Sequence, residues 1–330
     1  MVSFGLDALA DVECERVVVV VGHGADRVRT SVGQFAPDDL AVNFVVQERQ
    51  NGTGDAVAVG LGGFSPSELD EEDAIIVVLP GDVPLVRAAT IANLVDHHRE
   101  QNAGATLLTA RLEDPYGYGR VVRGKDGSVS KIVEHRDADE TTLAIDEINT
   151  SIYCFRRNLL APALRRVTPV NDQGEYYLTD VIAVLRDAGY PIAAVVADDA
   201  LETLGVNDRQ QLAEAEAVLR SRTNAYWLRS GVTIVDPNNT YIDVTVDIGR
   251  DVTIFPGVVL QGDTVVGEGT VIGPGCHIVD SNIGANARLD QTTSRGAHVG
   301  DGAKVGPYAV IGEGTKIPAN TVTGPLYAAQ

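Results

Sequence analysis

Asp82 lies in the run Ile75–Leu85, IIVVLPGDVPL, where a β-branched stretch gives way to Gly-Asp. That places a carboxylate just past the carboxyl end of a buried strand, where open α/β sheets bind their ligands. A carboxylate there can hold Mg²⁺ against nucleotide phosphates, since Mg²⁺ prefers hard oxygen ligands and keeps several waters. Taken alone, the same Gly-Asp also reads as an ordinary turn. Gln47–Gly54, QERQNGTG, follows another strand. Its glycines allow backbone to approach a ligand closely, and Gln47 and Thr53 suit a base edge, although a plain loop has the same composition. GYGR ending at Arg120, IVEH ending at His135 and EINT ending at Thr150 each bring polar groups to strand ends. Asn207, in LGVND, precedes a helical stretch and by itself reads as an N-cap or capping-turn residue.

The elements that must position these residues alternate. Arg16–Val21, RVVVVV, reads as a strand buried on both faces, with a helix from about Asp26. Val42–Gln47 and Ile75–Leu79 read as further strands, with helices at Asp55–Leu61 and Thr90–Gln101. Thr106–Ala110 is a strand, and Gly119–Val133 a hairpin turning at Lys125-Asp126-Gly127. This order argues for a layered α/β domain with a mainly parallel sheet. A helix over Asp208–Arg229 links this domain to the glycine-rich remainder of the chain. It carries Leu212, Ala215, Leu219, Arg222 and Tyr226 near one face and stops at Gly231; Tyr226 and Trp227 are placed to pack on the next domain.

Glycine usage changes at Gly231: residues 231–330 hold 16 of the 34 glycines, against 18 in the first 230. Aliphatic residues then recur every six positions at Ile242, Ile248, Ile254, Leu260, Val266, Ile272 and Ile278. The series resumes one residue early at Ile283 and Leu289, breaks around Arg295, and returns at Val299, Val305, Ile311 and Ile317. A six-residue period fits neither a helix nor hairpins but fits a parallel β-helix, one hexad to each face. Such coils are the left-handed exception to the crossover rule, and their flat sides commonly pack as trimers. The expected organisation is an α/β domain over 1–206, a linking helix over 207–230 and a β-helix over 231–330.

Acidic residues number 46 and basic ones 26, a net charge of −20, which makes nucleic acid and anionic membrane poor partners. Cys14, Cys154 and Cys276 form no C-x-x-C pair, which fits a reducing cytosol rather than a disulfide framework. No apolar run reaches membrane-span length and the N-terminus lacks signal-peptide character, so a cytoplasmic protein is expected.

The order of the pieces is more specific than any one of them. GHGAD, QxxxxGTGDAV, LPGDVPL, DPYGYGRVV, KIVEHRDA, EINTSIYCF, GEYYLTDVI, LGVNDRQQL and the hexads together resemble the bacterial bifunctional N-acetylglucosamine-1-phosphate uridyltransferase/glucosamine-1-phosphate acetyltransferase family. The resemblance implies an α/β nucleotidyltransferase with a Rossmann-like mixed sheet, followed by a left-handed parallel β-helix of hexapeptide repeats. It implies that UTP and N-acetylglucosamine-1-phosphate give UDP-N-acetylglucosamine and pyrophosphate for cell-wall precursors, in a homotrimer. By the same pattern Asp82 and Asn207 bind Mg²⁺, Gln47, Gly52 and Thr53 match the uridine side, and Gly119, Glu134 and Asn149 match the sugar side.

Departures from the pattern carry their own expectations. The family opens with a strand and a basic Gly-rich loop that wraps the triphosphate. Here Arg16–Val21 and GHGAD match its second strand and the turn after it. A complete form is therefore expected to carry residues before Met1. Without them a central strand position stays unpaired, and a chain with four lysines and a charge of −20 holds UTP weakly. No catalytic group is assigned in place of the loop. Acetyl transfer is not expected, since Gly312 stands where the family has an arginine and His277 and His298 read as solvent-facing hexad residues. Two other readings stay open: a nucleotidyltransferase for another hexose-1-phosphate, and a non-catalytic trimeric sugar-nucleotide binder.

Overall fold

A computed structural model describes residues 1–12, 14–37, 40–65 and 74–329, which divide into two compact units, Met1–Gln211 and Leu212–Gln330. The first unit begins with α1 (Val2–Ala10), β1 (Val17–Val21), α2 (Ala25–Phe35), β2 (Val42–Val46) and α3 (Thr53–Leu61). It continues through β3 (Ile75–Val78), α4 (Ala88–Glu100), β4 (Ala105–Arg111) and the hairpin β5 (Arg120–Arg123) and β6 (Val129–Val133). After α5 (Glu140–Leu143) come β7 (Glu147–Arg156), α6 (Arg157–Leu164), α7 (Asp180–Asp187) and β8 (Ile192–Val196).

The sheet is mixed, which corrects the mainly parallel one expected from the alternation. β7 runs antiparallel to β3, β4 and β5, whereas β4 and β8 are parallel. The strand order is β6-β5-β7-β4-β8, with β3 also on β7, and β1 and β2 form a separate parallel pair. β7 shifts register against β4 between Leu107 and Thr109, and Ser151 there has φ of 62°. A bulge of this kind re-aims the side chains beside it; here it follows Asn149. The β5–β6 hairpin turns as expected, with Gly127 at φ 81°.

β1 is not buried on both faces as its composition suggested: only Val21 is fully buried, and Val17 to Val20 are half-buried. The reason is a cavity of about 1480 Å³ lined by all of β1 and all of β3, together with α1. Helix α1 fixes the direction of both strands. Its start, Val2, lies 3.4 Å from where a Cβ on Gly81 would stand, just past β3, and its end leads into β1. β1 and β3 therefore point toward the same end, where the cavity reaches Thr53, Glu134, Tyr153 and Thr179.

In the second unit three parallel sheets of six, five and five strands coil into a β-solenoid. Every aliphatic residue of the hexad series from Ile242 to Ile317 points into its core and is buried. Each such burial removes apolar surface worth about 1.5–3 kcal/mol from water. The apparent break around Arg295 is no interruption of the coil. Thr293–Arg295 is a strand in register with His277–Val279, and Ser294, fully buried, takes the inward place. Its hydroxyl lies 3.0 Å from that of Ser281.

The long helix α8 spans Arg209–Arg229. Its packed face differs from the expected stripe: Leu212 and Tyr226 are exposed, while Asn224 and Trp227 are buried. Trp227 enters the solenoid core, and Asn224 Nδ2 donates to the carbonyls of Pro237 (2.7 Å) and Thr240 (3.0 Å). Gly231, at φ 96°, ends the turn after the helix. No described helix is long and apolar enough to cross a membrane.

Candidate active site

Gln47 extends the β1–β2 ladder by one rung, its N–H donating to Val21 O at 2.8 Å. Its side-chain Nε2 donates to Asp55 Oδ2 at 2.7 Å and to Gly52 O at 3.3 Å, leaving the carboxamide oxygen as the acceptor it can offer. Gly52 has φ of 109°, and a Cβ there would lie 2.6 Å from Tyr176 O. The close approach that Gly52 makes within the chain is to the GEYY segment. Gly54 N donates to Tyr176 O at 2.7 Å, and Thr53 Oγ1 accepts from Leu178 N at 3.0 Å. The QERQNGTG segment and the segment ending in Thr179 are therefore one hydrogen-bonded body.

Thr179 joins this body to Glu134 and its neighbours. Its hydroxyl donates to Glu134 Oε1 at 3.2 Å, and the other oxygen of Glu134 lies 3.3 Å from where a Cβ on Gly119 would stand. Asn149 N donates to Gly119 O at 2.8 Å, so Gly119, Glu134 and Asn149 meet although they come from three different stretches of chain. Burial pushes the Glu134 carboxyl above the usual carboxylate range; the Thr179 bond opposes this, and Asp137 and Asp180 add to it. Tyr153 is fully buried beneath, hydrogen-bonded to the Asn149 side chain, and burial raises its hydroxyl too.

Asp82 and Asn207 meet at Gly205. A Cβ on that glycine would lie 3.5 Å from Asp82 Oδ2 and 3.9 Å from Asn207 Nδ2. Val206 N donates to Asp82 O at 2.9 Å. Asn207 is not the cap of α8: Asp208 accepts from Gln211 N at 2.8 Å, and Gln211 Oε1 accepts from Asn207 N at 2.6 Å. The Asn207 carboxamide is left facing the same point as the Asp82 carboxylate. Tyr118, next to Gly119, hydrogen-bonds the Gly205 backbone and so connects this pair to the group of Gly119, Glu134 and Asn149. Burial raises its hydroxyl, and the Asp82 charge adds to that.

The eight residues singled out in sequence thus converge at one end of the first unit. Tyr118, Thr179 and Gly205, which connect them, were not among the expected site residues, although all three lie inside the motifs DPYGYGRVV, GEYYLTDVI and LGVNDRQQL. Among the described residues no group of three or more His, Cys, Asp or Glu could hold a metal. The Asp82 carboxylate, with the Asn207 carboxamide turned to present its oxygen rather than Nδ2, suits a hard cation that keeps waters and takes further ligands from substrate phosphates. On the solenoid, His298 is exposed, and half-buried His277 lies 3.0 Å from Gln261 Oε1 through Nε2.

An α/β sheet with these groups at its carboxyl end, joined to a hexapeptide solenoid, defines a nucleotidyltransferase. The nucleotidyl transferase family matches residues 1–232, and the bacterial transferase hexapeptide family matches residues 245–279. The bifunctional protein GlmU of Exiguobacterium sp. is 44% identical over 324 residues, covering 98% of this chain and 69% of the relative. That of Streptomyces coelicolor is 42% identical over 331 residues, covering 100% of this chain and 67% of the relative. That of Corynebacterium glutamicum is 43% identical over 318 residues, covering 96% and 64%. The chain belongs to the bifunctional GlmU family and is an enzyme of the nucleotidyltransferase class.

Proposed function

We propose that this enzyme is a sugar-1-phosphate uridyltransferase, joining UTP and N-acetylglucosamine-1-phosphate with release of pyrophosphate. The observation that carries the reading is the convergence of Gly119, Glu134 and Asn149 on one side of Tyr118 with Asp82 and Asn207 on the other. A sugar held by the first group has its 1-phosphate directed toward the second. Glu134 accepts a hydrogen bond from a sugar hydroxyl, and the Asn149 carboxamide donates to an oxygen of the sugar or its acetamido group. Gln47 offers its carboxamide oxygen to the N3–H of uracil. The sugar phosphate attacks the α-phosphorus of UTP in line, with no covalent enzyme intermediate, so positioning and charge neutralisation carry the rate. Asp82 and Asn207 are the residues that hold Mg²⁺, which when bound neutralises charge on the phosphates.

The test is pyrophosphate release from N-acetylglucosamine-1-phosphate with UTP, dTTP, ATP or GTP, beside calorimetry with UDP-N-acetylglucosamine. Selective turnover of UTP supports the reading. Preference for another nucleotide points to a different hexose-1-phosphate transferase, and product binding without pyrophosphate release points to a binder. The solenoid is a trimer scaffold in this reading, checked by light scattering. A cytoplasmic location accords with three free cysteines.

A further inference from the structure

We infer that Glu202 is a positioning residue for the Asp82–Asn207 pair, a role that rests on the reading of that pair as a divalent-cation site. Glu202 sits on a short 3-10 turn, Ala200–Thr203, between β8 and Asn207, and is only 3% exposed. Its Oε2 accepts from Thr90 Oγ1 at 2.5 Å, and its Oε1 is ion-paired with Arg87. Arg87 also reaches Asp199 Oδ2 at 3.2 Å, and Leu201 N donates to Asp199 Oδ1 at 3.0 Å. Arg87 caps α4 and Thr90 lies in its first turn, directly after the loop that carries Asp82.

The two segments are therefore tied at two levels. At one end Glu202 clasps Arg87 and Thr90. At the other the Val206 N–H holds the Asp82 carbonyl at 2.9 Å. Gly205, between them, leaves the space into which both Asp82 and Asn207 face. Asp82 and Asn207 are far apart in sequence and belong to loops, which have no rigidity of their own. Mg²⁺ requires near-ideal octahedral geometry at about 2.0–2.1 Å, so small errors in the separation of two such donors weaken its hold. The clasp fixes that separation. A buried carboxylate at this place is costly unless it is paired, and here its pairing unites the two loops of the pair.

The experiment is Mn²⁺ binding to the whole chain, with the metal alone as probe, read by electron paramagnetic resonance. Glu202→Ala is expected to lower Mn²⁺ affinity about tenfold or more, as loss of the groups that orient metal ligands does. Glu202→Gln keeps an acceptor for Thr90 and recovers part of that affinity. His98→Ala, which disturbs the same helix away from the pair, serves as the destabilised control and leaves Mn²⁺ affinity unchanged. Equal losses in Glu202→Ala and His98→Ala overturn the inference, because they reduce Glu202 to a general structural role. If Asp82→Asn abolishes Mn²⁺ binding while Glu202→Ala binds as tightly as wild type, the clasp alone fails. If Asp82→Asn binds Mn²⁺ as wild type does, the cation reading fails and the clasp with it.

Discussion

The Thr179 hydroxyl donates to Glu134 Oε1 across 3.2 Å, joining a loop braced by α3 to the end of the β5–β6 hairpin. This one bond connects the residues assigned to the base with those assigned to the sugar. Burial, with Asp137 and Asp180 nearby, outweighs this bond and favours the neutral form of Glu134.

Glu134→Gln is accordingly expected to weaken binding of the sugar nucleotide and yet to stabilise the fold at neutral pH. A carboxyl whose folded pKa is raised costs stability above that pKa, where it must carry buried charge. The cost disappears once both folded and unfolded forms are protonated, below about pH 4. Urea melts of both forms at neutral pH and near pH 4 show a stability gap only at neutral pH. In the wild type, sugar affinity falls with acid at a higher pH than an ordinary carboxylate would dictate.

Gly52→Ala tests the brace between QNGTG and GEYY. Its φ of 109° and the 2.6 Å approach to Tyr176 O exclude a side chain without movement. Forcing an L-residue into such a conformation costs about 1–3 kcal/mol. The expected result is a loss in that range in chemical denaturation, together with a raised KM for UTP, since Gln47 and Thr53 move with the loop.

His98 is buried on α4, its Nδ1 2.8 Å from Thr106 Oγ1, and burial together with Arg156 and Arg99 lowers its pKa to about 4. The neutral imidazole is the native form. The stability it contributes is present above the unfolded pKa of about 6.5 and is lost as pH falls toward about 4. The wild type should lose on the order of 2 kcal/mol between about pH 7.5 and about pH 5 from this group. His98→Gln should remove that part of the slope, measured by urea melts at the two pH values.

In the solenoid, Ser281 Oγ bonds Val279 O at 2.8 Å, accepts from Ala297 N at 3.2 Å and meets Ser294 Oγ at 3.0 Å. Ser281→Ala strips partners from two buried groups and should cost about 1–3 kcal/mol. Ser294→Ala removes one hydroxyl that bonds Ser281, which keeps its backbone contacts, and should cost less. A double-mutant cycle by thermal melting gives the coupling, and a larger loss in Ser294→Ala would contradict the geometry.

The hexads were legible because one side-chain type recurs at a fixed spacing, and each inward position needs only to be apolar. Ser294 was not, because a serine satisfied by a second buried serine looks like an outward residue to any apolar pattern. The packed face of α8 was misread for the same reason: Asn224 is buried by bonds to two carbonyls, whereas Leu212 and Tyr226, at the two ends of the expected stripe, are exposed. β7 was hidden because EINTSIYCFR mixes polar site residues with a bulge at Ser151, which breaks the two-residue alternation. The site residues were legible as motif order, but their meeting was not. It depends on Tyr118, Thr179 and Gly205, whose contacts join stretches with no local relation in sequence.

β1 and β3 each have one ladder partner among the described strands, and their other edges border the same apolar cavity. VVVVV and IIVV carry neither charge nor proline, so their own side chains do not discourage a further strand, and α1 beside them is the cover these edges have. The net charge of −20 opposes pairing of copies through these edges, a repulsion acting over about 10 Å at 0.1 M salt and less as salt rises. Pairing through these edges, distinct from any trimer of the solenoid, should therefore increase with ionic strength.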